Sequence, residues 1–281
     1  MLALIKLGGS IVTFKDKPLA FNAPALEGVS RVLKRIGDEI QMVVVHGGGS
    51  FGHYYSVIYD MHSKPAEYSK EGISRVRCSM VDLNNRIINV MLEQGLRPYT
   101  IHPSSFIGEG KVPISSRVEE LYSISNDGLM PVTHGDVMHY QDNLYYILSG
   151  DEIMSILAEH LRERVGVVLF TLAVDGVYKD MQSRELIREL RYVSDASMDD
   201  VSMDVTGGMR RKVREGFKIA SLGIDVWFVN GMHPERVEDV LRGKDTIGTV
   251  IRGKMVDKEA RKGRREGERE RGREGGKEGR K

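Results

Sequence analysis

The sequence predicts an α/β protein, a three-layer αβα sandwich built on a central, mainly parallel sheet. Short apolar runs with strand character alternate with longer segments of helical period, and glycine clusters follow the first two runs. No internal repeat of roughly 20 to 50 residues competes with that reading. In order, strands are predicted at 2–7, 42–46, 98–102, 165–172 and 225–229, with a closing strand at 246–252. Helices are predicted between them at 25–40, 70–94, 152–162 and 209–222. One stretch breaks the alternation: 137–140, the polar turn Gln141-Asp142-Asn143 and 144–148 read as an inserted β-hairpin. Gly8-Gly9 and Gly47-Gly48-Gly49 stand just after the first two strands, at the carboxyl ends where an open parallel sheet binds ligands.

The chain of 281 residues, 41% hydrophobic and 29% charged, is long enough for a sizeable core and unlike a collagenous or wholly disordered sequence. It holds no run of the roughly 20 apolar residues that a membrane helix needs. The start enters the first strand with no basic segment before it, so a cytoplasmic protein without signal peptide is expected. The single cysteine, Cys78, is expected as a small core residue on a helix, not a metal or redox group.

The formal charge of +1 divides unevenly. Residues 254–281 carry 12 Lys and Arg against 7 Asp and Glu, or +5, which leaves −4 for 1–253. An acidic body gives no electrostatic reason to bind nucleic acid. Residues 261–281 contain no apolar side chain, so a disordered tail is expected. Its arginines permit a polyanion-binding arm, which the interleaved glutamates weaken.

Gly47-x-Gly49-x-x-Gly52 matches the dinucleotide fingerprint in form, but 59–72 is polar and turn-like where a second strand ending in an acidic residue is required. A Walker A loop is also missing from the sequence. What remains is two glycine loops whose backbone can approach an anion where a Cβ would collide. Lys6 and Lys15 flank the first, and two ammonium groups suit a polyphosphate. Further on come Ser149-Gly150-Asp151-Glu152, Val174-Asp175-Gly176, and Thr206-Gly207-Gly208 opening a helix that carries Lys212. Each piece has an ordinary reading as a cap or turn, and helix N-termini are also anion sites. Ile73, Val76 and Met80 form an apolar stripe on one helix face, either core or the lining of a small apolar pocket.

Taken in order, these motifs resemble the amino acid kinase family, from Lys6 to about Gly253. Within it, Gly47-Gly48-Gly49-Ser50-Phe51-Gly52-His53, the Ser149-Gly150-Asp151 break and 204–209 are similar to the isopentenyl phosphate kinases of archaeal type, His53 being the discriminating feature. The resemblance implies the amino acid kinase fold and phosphorylation of isopentenyl phosphate by ATP to isopentenyl diphosphate, on an alternative mevalonate route of isoprenoid biosynthesis. Lys6, Gly8, Gly9 and Ser10 would hold ATP phosphates, with Lys15 on the transferring group. Gly48, Gly49, His53 and Gly150 would bind the acceptor phosphate, and the stripe at Ile73, Val76 and Met80 its five-carbon tail. Asp151 would position the lysines, while Asp175, Gly208 and Lys212, with Gly49, would serve the nucleotide. Mg²⁺ would travel on the ATP phosphates, without a protein metal site.

An acceptor-binding part at about 1–160, a nucleotide-binding part at about 161–253, and a homodimer follow from the same resemblance. A phosphate acceptor is already ionised, so His53 is needed as a hydrogen-bond donor and not as a base. Ala173 stands where the family has an aspartate, which bears on nucleotide preference. A kinase for another phosphate or phosphonate such as fosfomycin, and a non-catalytic nucleotide-binding protein of the same fold, are the alternatives.

Overall fold

The structure is a computed structural model that describes residues 1–14, 16–180, 182–191 and 207–253. Lys15, residues 204–206 and the tail 254–281 fall outside the described residues. Eleven described strands form β1 (Leu2–Leu7), β2 (Gln41–His46), β3 (Ala66–Glu67), β4 (Pro98–Thr100), β5 (Met130–His134), β6 (Asp136–His139), β7 (Leu144–Leu148), β8 (Val165–Leu172), β9 (Glu189–Arg191), β10 (Val226–Asn230) and β11 (Gly248–Arg252). Eight of them make one sheet in the order β4-β5-β2-β1-β8-β10-β11-β9, parallel except for the β10–β11 pair.

The helices are α1 (Gly9–Val12), α2 (Ala23–Ile36), α3 (Gly49–Ile58), α4 (Lys70–Glu93), α5 (Ser115–Asn126), α6 (Gly150–His160), α7 (Gly207–Ser221) and α8 (Pro234–Leu241). Successive side chains of a strand point to opposite faces, and β1 shows how this makes three layers. Leu2 and Leu4 pack with α5, α6 and α7 residues such as Val118, Ile153 and Phe217. Ala3, Ile5 and Leu7 pack with Leu26 of α2, Leu83 of α4 and Val237 of α8. Lys6 has the parity of Leu2 and Leu4, so its side chain is delivered to the α6 side of the sheet.

The predicted hairpin is present as β6 and β7, and β3 adds a third strand to it. Several expectations need correction. The helix expected to reach 40 stops at Ile36, with Gly37 at its C-cap, and the strand expected to reach 102 ends at Thr100. Cys78 is on a helix as expected but exposed, not core. It follows Val76 by two residues, which on a helix turns it away from the face that Val76 buries.

Candidate functional site: a lysine–aspartate centre between two glycine loops

The loops after β1 and β2 meet backbone to backbone. A Cβ on Gly9 would stand 2.4 Å from the Gly49 nitrogen, and one on Gly47 would stand 2.9 Å from the Gly9 nitrogen. Gly49 adopts φ +48°, and a Cβ there would fall 2.0 Å from Thr13 Oγ1, so both backbone conformation and space require glycine. Thr13 ties the junction, its hydroxyl donating to Gly9 O at 2.7 Å and accepting from Ser50 N–H at 2.9 Å. Thr171 at the end of β8 closes the other side: Gly8 N–H donates to its Oγ1, which donates to Lys6 O, both at 3.1 Å. Gly9→Ala is expected to lose activity and about 1–3 kcal/mol of stability by overpacking this junction. A denaturant midpoint unchanged from wild type would contradict the close contact.

Beneath the loops, Lys6 Nζ donates to Asp151 Oδ1 at 2.5 Å, with Lys6 3% and Asp151 2% exposed. Asp151 reaches this place because Ser149-Gly150-Asp151-Glu152 is a helix start with a complete capping box. Ser149 Oγ accepts from Glu152 N–H at 3.2 Å and Glu152 Oε2 accepts from Ser149 N–H at 3.1 Å. A Cβ on Gly150 would lie 2.8 Å from Lys6 Cε and 3.0 Å from His46 O, so glycine lets the helix start press onto the lysine.

The second Asp151 oxygen faces Arg211 Nε and Lys212 Nζ, each at 3.5 Å. Burial alone would raise the Asp151 pKa, but Lys6, Lys212 and Arg211 outweigh it and hold it at about 2. Burial, with Lys6 and Arg211 nearby, lowers Lys212 to about 8 despite Asp151. Three cations therefore converge on one carboxylate, an excess of positive charge suited to a polyanion. With no polyanion bound, Lys212 loses its proton as pH rises through about 8. The kcat/KM profile is expected to fall on an alkaline limb there, and a limb surviving in Lys212→Arg would contradict the assignment.

Arg211 is not singled out by the sequence motifs, although Arg210-Arg211-Lys212 follows the glycine pair after one residue, Met209. Gly207 and Gly208 open α7, and a Cβ on either would meet nothing within 4 Å. Asp175, beyond the end of β8, accepts from Arg236 at 2.5 Å and Asn230 Nδ2 at 3.1 Å. Those bonds, the Arg236 one foremost, lower its pKa. No motif along the chain marks Asn230 or Arg236, which come from β10 and α8.

His53 lies on the second turn of α3 and is exposed. Ser10 follows Gly9 on α1 and is half-buried. The apolar stripe divides. Met80, 2% exposed, joins the core on the α2 and α4 side of the sheet and backs the second glycine loop, its Sδ lying 3.0 Å and 3.2 Å from Cβ positions on Gly48 and Gly52. Val76 and half-buried Ile73 join a separate nest with Met61, Val137, Tyr55 and Tyr145, between α3, α4 and the hairpin. The cavity of about 370 Å³ lined by Met1, Lys34, Gln41 and Arg97 lies at the opposite end of the strands and has no part in this site. Among the described residues, no group of three or more His, Cys, Asp or Glu is placed to hold a metal ion.

A family model for the amino acid kinase family matches residues 1–230. The chain belongs to the amino acid kinase family. Among curated relatives in that family, the isopentenyl phosphate kinase of Thermoplasma acidophilum is 34% identical over 257 residues, covering 89% of this chain and 100% of that enzyme. The isopentenyl phosphate kinase of Methanocaldococcus jannaschii is 32% identical, covering 76% of this chain and 85% of that one. The crystal structure of the T. acidophilum enzyme in its product complex matches with a TM-score of 0.74 at 30% identity, covering 90% of this chain and 100% of that one. The UMP kinase of Ureaplasma parvum, with a TM-score of 0.61 and 12% identity over 90% of this chain and 99% of that one, shares the amino acid kinase fold. No described helix is long and apolar enough to cross a membrane.

Proposed function

We propose that this amino acid kinase transfers the γ-phosphoryl group of ATP to isopentenyl phosphate, giving isopentenyl diphosphate and ADP. The observation that carries the chemistry is the convergence of buried Lys6 and half-buried Arg211 and Lys212 on buried Asp151 where two glycine loops meet. Similarity to isopentenyl phosphate kinases over most of the chain supports the acceptor.

In this reading Lys6, Gly8, Gly9, Ser10 and Lys212 hold the ATP phosphates. Gly208 and Asp175 serve the nucleotide from the 161–253 side, and Lys15 neutralises the transferring group. Gly48, Gly49, Gly150 and His53 take the acceptor phosphate on the 1–160 side, with its tail toward Ile73 and Val76. Gly49 lies at the junction of both sets. Phosphoryl transfer is then accelerated by alignment and by fixed positive charge on oxygens in line. Asp151 is no base: a carboxyl held at about 2 does not take a proton near neutral pH. Both its oxygens already face cations, so the donor set does not suit direct metal ligation, and Mg²⁺ is carried by the ATP phosphates. The protein acts in the cytoplasm as a homodimer.

The test is ADP release with ATP and Mg²⁺ from isopentenyl phosphate, dimethylallyl phosphate, fosfomycin, N-acetylglutamate and UMP, each offered separately. Release with isopentenyl phosphate well above the others supports the reading. Preference for fosfomycin or UMP removes the acceptor assignment, and silence with ATP still bound favours the non-catalytic alternative.

A further inference from the structure

Two neighbouring strands of the sheet, β2 and β5, end in the same dipeptide, His46-Gly47 and His134-Gly135. They run parallel with His46 opposite His134, and the two rings lie 5.1 Å apart. Both histidines are fully buried. In each, Nδ1 faces the carbonyl oxygen of the following glycine, at 3.0 Å from His134 to Gly135 and 3.2 Å from His46 to Gly47. A carbonyl oxygen only accepts, so Nδ1 carries the hydrogen. His134 Nε2 has no protein partner, as a bare lone pair can afford but a buried N–H cannot. At His46, Nε2 lies 3.2 Å from Asn84 Oδ1. A neutral ring meets both its partners when the Asn84 carboxamide presents Nδ2 there instead, its oxygen then accepting from the Thr100 hydroxyl that Nδ2 otherwise meets at 2.8 Å.

The glycines that these rings hold are the ones that touch the site. A Cβ on Gly47 would lie 2.9 Å from Gly9 N and 3.7 Å from Lys6 Nζ, and one on Gly135 would lie 2.9 Å from Gly150 N. The His46 carbonyl joins the two turns, accepting from Gly135 N–H at 3.4 Å and standing 3.0 Å from the Cβ position of Gly150.

We infer that His134 is a positioning residue for the acceptor phosphate: its Nδ1–H fixes the Gly135 carbonyl, and so sets the backbone against which Gly150 presents its N–H, while His46 does the same for Gly47. The inference deepens the proposed function and rests on it for the acceptor. Burial favours the uncharged rings this needs, placing His46 at about 3 and lowering His134, against the pull of Asp136 on the latter. The charged and polar groups facing His134 from packed elements are Asp136, His102, Arg77 and the His46 ring, and those facing His46 are the His134 ring, Lys6 and Asn84.

The test compares His134→Asn, whose amide nitrogen falls near the place of Nδ1, with His134→Gln, whose amide reaches past it. The Gln variant is expected to raise the KM for isopentenyl phosphate about tenfold or more, the loss of one buried hydrogen bond, with the KM for ATP within about twofold. The Asn variant is expected to restore the acceptor KM to within about threefold of wild type. Side-chain ¹⁵N NMR of the wild-type protein, with the His134 signal identified by its loss in the Asn variant, is expected to show hydrogen on Nδ1 and none on Nε2. Equal acceptor KM in the two variants, a parallel rise in both KM values, or hydrogen on Nε2 overturns the inference. If wild type ignores isopentenyl phosphate, the functional reading fails, and the tautomer, measured without substrate, still decides the role of His134. It also decides the matter if the Gln variant does not fold.

Discussion

Replacing Asp151 with Asn is expected to lower kcat by on the order of 10²–10³, the scale of one lost electrostatic contact at a transferring group, without weakening ATP binding. The carboxylate holds Lys6 by a 2.5 Å bond and faces Arg211 and Lys212, so its charge gathers three cations that would otherwise repel one another. An amide keeps the shape and one acceptor but not that hold, and a site with one negative charge fewer still attracts a polyphosphate. The KM for ATP is therefore expected to stay level or fall while kcat drops. A variant with wild-type kcat, or one that loses ATP, would falsify the positioning role.

The same carboxylate sets an acid limit on stability. Its pKa of about 2 in the fold lies below the ordinary 3.8, so its contribution is complete above about pH 4 and is lost as pH falls through about 2, in total about 2 kcal/mol. Unfolding of Asp151→Asn followed between pH 5 and 2 is expected to lack that part of the acid dependence.

The second large effect is expected at His53. Helix α3 buries Ser50 and Phe51, while His53 on its second turn is exposed. His53→Ala is expected to reduce kcat with isopentenyl phosphate on the order of 10²-fold, as loss of a donor to the phosphate does, with ATP binding near normal. His53→Gln, which keeps an N–H donor, is expected to recover part of the rate. An Ala variant as active as wild type would remove His53 from the acceptor site.

What the sequence disclosed follows from how local each signal is. β1 and β2 are short apolar runs with glycines directly after them, and the parity of β1 already sends Lys6 to one face. β5 was missed because Met130-Pro131-Val132-Thr133-His134 carries a proline and two polar residues. All five are buried, because neighbours on both sides pair with the strand: Tyr99 stands opposite Pro131, and His46 opposite His134. α3 and α5 were missed as well, since Gly49, Gly52 and His53 read as loop chemistry and α5 carries only a weak apolar stripe, Val118 and Leu121.

The site shows the same division. Lys6, the glycines, Asp151 and Lys212 stand in motifs that can be read along the chain. Arg211, Thr13, Thr171, Arg236 and the histidine pair act through contacts that exist only after folding. Thr171 lies 163 residues from the Gly8 whose N–H it accepts, a separation no local pattern records.

The measurement that tests the central claim most directly is ³¹P NMR of isopentenyl phosphate incubated with the protein, ATP and Mg²⁺. The account predicts that the monophosphate resonance is replaced by two coupled diphosphate resonances while one equivalent of ADP forms per acceptor consumed. An unchanged monophosphate resonance, with or without ADP formation, would contradict it.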